Sequence, residues 1–294
     1  MKKRSNLTLV LAVFLIAAIM LSKQFLPSAA PDTVADTGTE TTIHFIDVGQ
    51  GDASLIVSGD SAVLIDGGKQ SAGDAVVDYL SRHGIADLDA VIATHPHEDH
   101  IGGLVDVFEA FDVKSVYLSD EAMDTRIYEK LLDAIDGEGI EPEFPDIGDT
   151  IPLGESGGVF TVLAPGPNSR DTYGNDPNTW SLVLRLDASG CSALFTGDTT
   201  TRVEQDMIKN TLSLLDCNVL KVAHHGSRTA SSAEFLEAVS PEFAVISYEK
   251  GNSYGLPDEE VFERLEPIGT EIFETAKHGS VVLTMANGEV GVAS

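Results

Sequence analysis

A dense set of metal-ligand side chains stands at residues 94–100, where the sequence reads THPHEDH. Three histidines and two acidic residues fall within six positions of this run. Imidazole and carboxylate groups are the usual ligands of zinc and similar divalent ions. Burying so many of them would cost desolvation energy unless each had a partner, and a divalent cation is the strongest partner available. The run therefore predicts a metal site.

The spacing within this run suits two adjacent ions. His95 and His97 are two residues apart, so on an extended segment they point the same way. Asp99 and His100 lie beyond the following turn and can reach a second point. Glu98 takes the variable position between them and is expected to face solvent. The alternative interpretation is an exposed turn that happens to be rich in histidine and aspartate.

Two later motifs can complete such a site. Asp198 ends the motif TGD after a strand predicted at 192–195, and one carboxylate at such a strand end can bind two ions at once. His224 and His225 follow a strand predicted at 219–223. Adjacent histidines on an extended chain point to opposite sides, so one can bind metal while the other contacts substrate or packs. A histidine pair at the surface is the alternative.

Taken in order, the three motifs resemble those of the metallo-β-lactamase superfamily. Four further segments are similar, more narrowly, to the extracellular hydrolase domain of ComEC-type DNA-uptake proteins: HFIDVGQGDA at 44–53, IDGG at 65–68, NTWSLV at 178–183 and SYG at 253–255. The resemblance covers roughly residue 42 to the C-terminus. It implies an α/β fold, the four-layer αββα metallo-β-lactamase sandwich, with a hydrolytic centre that holds two divalent ions, Zn²⁺ or Mn²⁺.

The resemblance also implies roles for residues of this sequence. The implied metal ligands come from all three motifs and are His95, His97, Asp99, His100, Asp198 and His225. The first two histidines would hold one ion, Asp99 and His100 the other, and Asp198 would bridge them. His224 would lie beside the substrate, and the candidate catalytic residues are Asp99 and His224.

This chain departs from true β-lactamases, which supply a third histidine between the first motif and the Gly-Asp strand. No histidine occurs here between His100 and His224, so β-lactam hydrolysis is not expected and the third ligand of the first ion stays open. Asn178, Thr179 or Ser181 could fill that region. Leu256 stands where the ComEC-like group often has a histidine. The candidate substrate contacts are Lys69, Asn178, Ser181 and Tyr254.

Three aspartates near these motifs are expected to support the ligands. Asp47, Asp52 and Asp66 would bind backbone groups or the ring N–H groups of histidines, because metal-binding histidines need such partners to fix their orientation. Lys69 lies at the same rim as a cation that could meet a phosphate group, and a solvated lysine is the alternative.

Composition limits the partners. The chain has 294 residues, with 47 acidic residues against 18 lysines and arginines, for a net charge of -29. Such a surface repels nucleic acid and anionic membranes unless a local cationic centre compensates. A hydrophobic content of 43% suits one large domain or two small ones.

Cys191 and Cys217 could pair or remain buried thiols. The sequence contains no paired CxxC motif, so a zinc ribbon is not predicted.

The N-terminus has the pattern of an export signal. A basic start at 2–4, an apolar run at 7–21 and small residues at 28–30 predict a signal peptide over residues 1–30, with an uncleaved membrane anchor as the alternative. Either interpretation places the rest of the chain outside the cytoplasm, secreted or anchored to the membrane. Residues 31–41 are polar and predict a linker, and residues 42–294 form the predicted hydrolase domain.

The elements that must position the motifs follow from hydrophobic periodicity. Helices are predicted at 73–83, 124–136, 201–209, 230–239 and 258–265. Strands are predicted at 42–48, 53–57, 62–65, 88–94, 114–118, 159–163, 181–186, 192–195, 219–223, 243–247, 271–274 and 281–285. The segment 138–158 is rich in proline and glycine and is expected to be a loop. Two sheets packed face to face with helices outside would account for this order.

Three hypotheses for function follow. The first is a phosphodiesterase related to DNA uptake, acting as a nuclease on a phosphodiester such as DNA, because a metal pair activates water and offsets the acidic surface locally. His224 or a water molecule would protonate the leaving group. The second is hydrolysis of another envelope ester, of the phosphocholine or teichoic acid type. The third is a non-catalytic, metal-stabilised binding module. The sequence indicates no protein partner.

Overall fold

A computed structural model describes residues 38–155, 157–166 and 168–293. Its strands are β1 (Thr41–Phe45), β2 (Ser54–Ser58), β3 (Ser61–Ile65), β4 (Asp87–Leu88), β5 (Ala90–Ala93), β6 (Asp112–Val113), β7 (Val116–Leu118), β8 (Thr150–Leu153), β9 (Gly158–Ala164), β10 (Val183–Ala188), β11 (Cys191–Phe195), β12 (Val219–Lys221), β13 (Phe243–Ile246), β14 (Glu271–Glu274), β15 (Val281–Ala286) and β16 (Glu289–Val292). Its helices are α1 (Gly73–Arg82), α2 (Glu98–Ile101), α3 (Leu104–Ala110), α4 (Arg126–Gly137), α5 (Ser169–Tyr173), α6 (Thr201–Thr211), α7 (Ala233–Val239), α8 (Glu259–Leu265) and α9 (Thr275–His278).

The larger strands form two sheets. The first has the order β16-β15-β1-β2-β3-β5-β7 and the second has the order β14-β13-β12-β11-β10-β9-β8. Their facing sides share one hydrophobic core, in which Ile43, Phe45 and Ile56 of the first sheet are buried together with Phe160 and Phe195 of the second. Successive side chains of a strand point to opposite faces of its sheet, and β3, β5 and β11 are buried at every position, so both faces of each sheet are covered.

Helices cover the outer face of each sheet. Helices α1, α3 and α4 pack on the first sheet, and α4 buries Tyr128, Leu131 and Ile135, which the helical repeat places on one face. Helices α6, α7 and α8 cover the second sheet in the same manner. The predicted four-layer αββα architecture is therefore confirmed.

Each sheet contains parallel strands whose carboxyl ends lie next to each other. In the first sheet β3 runs parallel to β5, with Ile65 beside Ile92, and in the second β11 runs parallel to β12, with Phe195 beside Lys221. Loops that leave the carboxyl ends of parallel strands converge, which is where α/β sheets commonly place their sites. The three motifs all lie in such loops.

The structure corrects several predicted boundaries. Strand β8 lies inside the segment predicted as loop, where Pro152 is tolerated because β8 is the edge of its sheet. Helix α7 begins at Ala233 rather than at 230, because the Ser232 hydroxyl accepts a hydrogen bond from the Phe235 N–H and caps the helix. Helix α4 begins two residues later than predicted for the same reason, with Thr125 as its cap.

The predicted signal peptide and most of the predicted linker lie outside the described residues. Within the described ranges, no helix is both long enough and apolar enough to cross a membrane. Cys191 and Cys217 are buried thiols, and burial raises the pKa of Cys217 to about 12.

Candidate metal centre

The first motif leaves β5 and turns at once into α2. His95 and His97 precede the helix, whereas Asp99 and His100 lie within it, so the turn separates the motif into two pairs. His95 and His100 are buried, His97 and Asp99 are partly exposed, and Glu98 faces solvent as predicted. The two pairs therefore approach the site from different parts of the chain, one from the loop after β5 and the other from α2.

The side chains gather into two groups with metal-ligand geometry. In each group the candidate ligand atoms lie within 4.8 Å of one another. The first group is His95, His97 and Asp198, and the second is Asp99, His100 and His225. His95 with His97, and Asp99 with His100, fall together as the sequence predicts, whereas the sequence did not assign His225 to either group.

Asp198 lies between the two groups. Its Oδ1 is 3.2 Å from His100 Nε2, and its Oδ2 is 3.6 Å from His225 Nε2 and 3.9 Å from His95 Nε2. A carboxylate at this position can serve both groups, because its two oxygens point toward ligands of each. Its burial at 2% exposure would be costly without a cation beside it.

Each buried histidine is held by a partner at its other ring nitrogen. His100 Nδ1 donates to Asp66 Oδ2 at 2.8 Å, and His225 Nδ1 donates to the Ser247 carbonyl at 3.0 Å. His95 Nδ1 is 3.1 Å from the Thr94 hydroxyl, which itself donates to Asp66. These contacts direct the Nε2 atoms into the site, as is typical of metal-binding histidines.

Several buried polar atoms in the site have no hydrogen-bond partner. Three of them, His100 Nε2, His225 Nε2 and Asp198 Oδ1, belong to the ligand groups, and Asp52 Oδ1 beside His225 is a fourth. The short contact between His100 and Asp198 has the distance but not the angles of a hydrogen bond. Leaving a buried polar atom unpaired costs about 1–3 kcal/mol, so three together in one place indicate a missing partner. Nitrogen and carboxylate donors around one point fit a divalent ion such as Zn²⁺ or Mn²⁺.

The charges of the site favour a cation as well. Burial opposes ionisation of Asp198, but His100, His225 and His95 lower its pKa well below the usual range. Burial likewise opposes ionisation of Asp99, but the contact with His225 lowers its pKa. The same contacts act on the imidazoles: against the effect of burial, Asp198 and Asp52 raise the pKa of His225 to about 10. The carboxylates therefore stay ionised and attract either protons or metal to the site.

A third group, Asp52 with His100 and Asp198, also has ligand atoms within reach of one another. Asp52 is engaged elsewhere, because Lys221 Nζ lies 2.6 Å from its Oδ2. The ammonium group, buried at 3% exposure, also donates to the Val222 carbonyl at 3.0 Å. A cation next to Asp52 would meet this fixed positive charge, so Asp52 serves as a support.

Sequence reasoning missed Lys221, whose buried ammonium group pairs with Asp52 beside the ligand groups. Its signal was a lysine between Leu220 and Val222 in an otherwise apolar strand, which is consistent with a buried acidic partner. The expected supporting roles are confirmed for Asp66, which binds Thr94 and His100, and for Asp47, which accepts from the Gly49 N–H. Asp52 instead pairs with Lys221, and its Oδ1 lies 3.4 Å from His225 Nδ1 without a hydrogen bond.

Two glycines permit the close approach of the loops. Gly197 has φ +48°, and a Cβ there would lie 3.0 Å from the Thr94 hydroxyl and 3.1 Å from Ser181 Cβ. Gly51 has φ +144°, and a Cβ there would collide with the Asp99 carbonyl, to which the neighbouring Asp52 N–H donates. Glycine is needed at both positions because other residues strain at positive φ and have no room.

The structure changes the explanation for the paired histidines. His224 and His225 are not on an extended chain but in a short 3₁₀ segment, and both have left-handed backbones with φ of 51° and 53°. Such backbone costs about 1–3 kcal/mol per residue and is found where function requires it. Consequently both rings face Asp198 Oδ2, at 3.7 Å for His224 and 3.6 Å for His225, rather than opposite sides.

A cavity of about 310 Å³ opens over the two groups. Its lining residues are Gln50, Lys69, His97, Glu98, Asp99, Asp198, His224, His225, Tyr254 and Leu256. Lys69 and Tyr254 thus lie where the sequence places substrate contacts. Ser181 is fully buried and instead accepts a hydrogen bond from the Asp198 N–H, and neither it nor Asn178 lines the cavity.

The family model of the metallo-β-lactamase superfamily matches residues 46–249. The chain belongs to the metallo-β-lactamase superfamily. ComE operon protein 3 of Bacillus subtilis is 31% identical over 83% of this chain and 33% of its own length. Competence protein ComA of Neisseria gonorrhoeae is 29% identical over 95% of this chain and 36% of its own length. The predicted resemblance to this group is confirmed.

The chain spans about a third of the length of these relatives. Among solved structures, the metallo-β-lactamase fold protein YhfI of Bacillus subtilis superposes with a TM-score of 0.54 at 14% identity, covering 87% of this chain and all of the other. At 14% identity this similarity shows the fold alone. Members of this superfamily are generally metal-dependent hydrolases, and this chain gathers groups of His and Asp side chains at one edge of its sandwich.

Proposed function

We propose that this chain is a two-metal phosphodiesterase that acts on nucleic acid outside the cytoplasm. The observation that carries the proposal is the position of Asp198 between two three-residue ligand groups on the floor of an open cavity. The relatives named for competence support a nucleic acid as the substrate.

The distances between ligand atoms indicate which residues would share an ion. His95, His97 and Asp198 would hold one ion, Asp99, His100 and His225 the other, with Asp198 shared. The pair would supply an activated water and stabilisation for negative charge that develops on the attacked phosphate. Asp198 itself would then be the third ligand of the first ion.

The chain's own residues then bind the substrate and move a proton. The side chain of His224 is 23% exposed on the cavity wall, so it is placed to donate a proton to the departing oxygen. Lys69 and Tyr254 line the same cavity and would hold a phosphate oxygen and the adjoining group. Ser181 keeps Asp198 in place through the backbone N–H.

The test is an assay of the full chain, loaded with Zn²⁺ or Mn²⁺, on bis-p-nitrophenyl phosphate, on single- and double-stranded DNA, and on a phosphocholine ester. Hydrolysis of the phosphodiesters is expected, with a loss of at least about a hundredfold in Asp198→Asn and no loss in the exposed control Asp60→Asn. Turnover of the phosphocholine ester alone would favour the envelope hydrolase. No turnover of any substrate would contradict the proposal.

We also propose that the protein acts after export, either released or tethered by the segment at 1–30. The basic start, apolar run and small residues in that segment support this. Cell fractionation tests it, because exported protein should be found outside the cytoplasm, whereas a deletion of 2–26 should hold it inside. Full-length protein found in the cytoplasm would contradict the proposal.

A further inference from the structure

Cations are scarce on this chain, so a surface that binds a polyanion must concentrate them. A second cleft of about 500 Å³ adjoins the metal cavity, and the two share His97 and Glu98 in their linings. Its lining residues are Gln70, Pro96, His97, Glu98, Met123, Thr125, Arg126, Ile127 and Lys130. A ligand that leaves the metal cavity on this side enters the second cleft directly.

The cleft carries two cations, Arg126 and Lys130. Arg126 begins α4 and Lys130 lies four residues later, so both stand on one face of the helix about 6 Å apart along its axis. Within the described ranges neither forms an ion pair, whereas Arg82, Lys114 and Lys221 do. Two uncommitted donors on one helix face suit a phosphate group.

The surroundings limit the cationic stretch to this cleft. The next cleft along α4 includes Lys130, but its lining also contains four acids, Asp106, Glu109, Asp133 and Glu138. An anionic chain would be repelled there. The two cations of the second cleft therefore lie between the ligand groups of the metal cavity and the acidic cleft beyond Lys130.

An exposed aromatic ring stands at the metal cavity. Tyr254 is 68% exposed and lines the metal cavity but not the second cleft. A ring so exposed can stack on an unpaired base, which a duplex or a glycerol phosphate polymer cannot offer. A strand that crosses the metal centre would meet Tyr254 first and Arg126 and Lys130 next.

We propose that the second cleft is a phosphate subsite for single-stranded nucleic acid. Arg126 and Lys130 hold a backbone phosphate next to the one in the metal cavity, and Tyr254 stacks on a base. This inference rests on the proposed function, since it extends the same site. It makes an extended strand, rather than a small diester, the preferred substrate.

The experiment compares Arg126→Ala/Lys130→Ala with a control that also loses two cations, Arg82→Ala/Lys209→Ala. Neither Arg82 nor Lys209 lines the metal cavity or the second cleft. With metal-loaded full chain, kcat/KM on a short single-stranded oligonucleotide should fall about tenfold or more in the first variant, mainly through KM. The salt dependence of binding should weaken by a slope of about 1–2. Hydrolysis of bis-p-nitrophenyl phosphate and metal content should not change in either variant.

Direct binding separates this proposal from the proposed function. Fluorescence anisotropy of a labelled oligonucleotide should show weaker binding by the Arg126/Lys130 variant and by Tyr254→Ala, even if the wild type hydrolyses nothing. Equal binding by the wild type and the Arg126/Lys130 variant would overturn the subsite. So would a parallel loss of bis-p-nitrophenyl phosphate turnover, or equal displacement of the oligonucleotide by a glycerol phosphate polymer.

Discussion

Replacing Lys221 by methionine should remove one member of a buried ion pair while keeping the volume of the side chain. Lys221 is 3% exposed and its Nζ lies 2.6 Å from Asp52 Oδ2. Asp52, which is 4% exposed, then retains a buried charge whose other nearby partners are His225 at 3.4 Å and His100 at 4.0 Å. The ion pair therefore lies against the rings of both histidines.

The cost follows from burial of both groups. Breaking a buried pair by removing one partner costs about 3–5 kcal/mol, because the remaining charge is left uncompensated. For a chain of this size that amounts to roughly 6–20 °C in the unfolding midpoint. Removing both charges together, in Lys221→Met/Asp52→Asn, should cost less than the sum of the single changes, because no lone charge is left behind.

Urea unfolding in the presence of a chelator measures this, since bound metal would otherwise add stability. The exposed Lys209→Met on α6 is the matched control and should change the unfolding free energy by less than about 0.5 kcal/mol. A cost below about 1 kcal/mol for Lys221→Met, or a double variant as unstable as the sum, would refute the pairing.

Three further predictions follow from the described contacts. Asp66→Asn should weaken metal binding about 10–100-fold, because the partner of His100 Nδ1 is changed, as measured by competition with a chelating dye. Burial and His83 lower the pKa of His44 to about 4, so the fold favours the neutral imidazole, and the stability that this gives above pH 6.5 is lost as the pH falls. His44→Gln should therefore reduce the loss of unfolding free energy between pH 7 and pH 5 by about 1–2 kcal/mol, as measured by urea titrations at each pH. Glu204→Ala should cost about 2–4 kcal/mol, because its carboxylate accepts the Ser231 and Ser232 N–H groups at the start of α7.

Each of these has a control and a contradicting result. Asp60→Asn should leave metal affinity unchanged, and equal affinity for Asp66→Asn would contradict the role of its carboxylate. A stability profile for His44→Gln parallel to that of the wild type would show that His44 does not titrate as described. Thermal unfolding of Glu204→Ala that matches exposed Glu234→Ala would exclude the buried cap.

The sequence alone could predict the candidate ligand residues because each motif is local. His95 to His100 occupy one turn, and strand ends after apolar runs place Asp198 and His225 at the same edge. The sandwich was predictable for the same reason, since its strands and helices have clear periodicity. That the motifs meet at one edge could be expected because loops after parallel strands converge.

The remaining features depend on contacts between distant residues. Lys221 and Asp52 are far apart in sequence, so the ion pair that explains a lysine in an apolar strand is visible only in the fold. Ser181 suggested a polar contact to substrate, but the close approach of Gly197 places its hydroxyl against the Asp198 N–H. The left-handed backbone of His224 likewise follows from packing of the loop rather than from local sequence preference.

The central claim is that two ions share Asp198. Anomalous diffraction from crystals loaded with Mn²⁺ or Zn²⁺ tests it most directly. Two peaks are expected in the cavity floor, one among His95, His97 and Asp198 and the other among Asp99, His100 and His225, each within bonding distance of Asp198. A single peak in a fully loaded crystal, or a peak bound by Asp52 in place of these groups, would contradict the account.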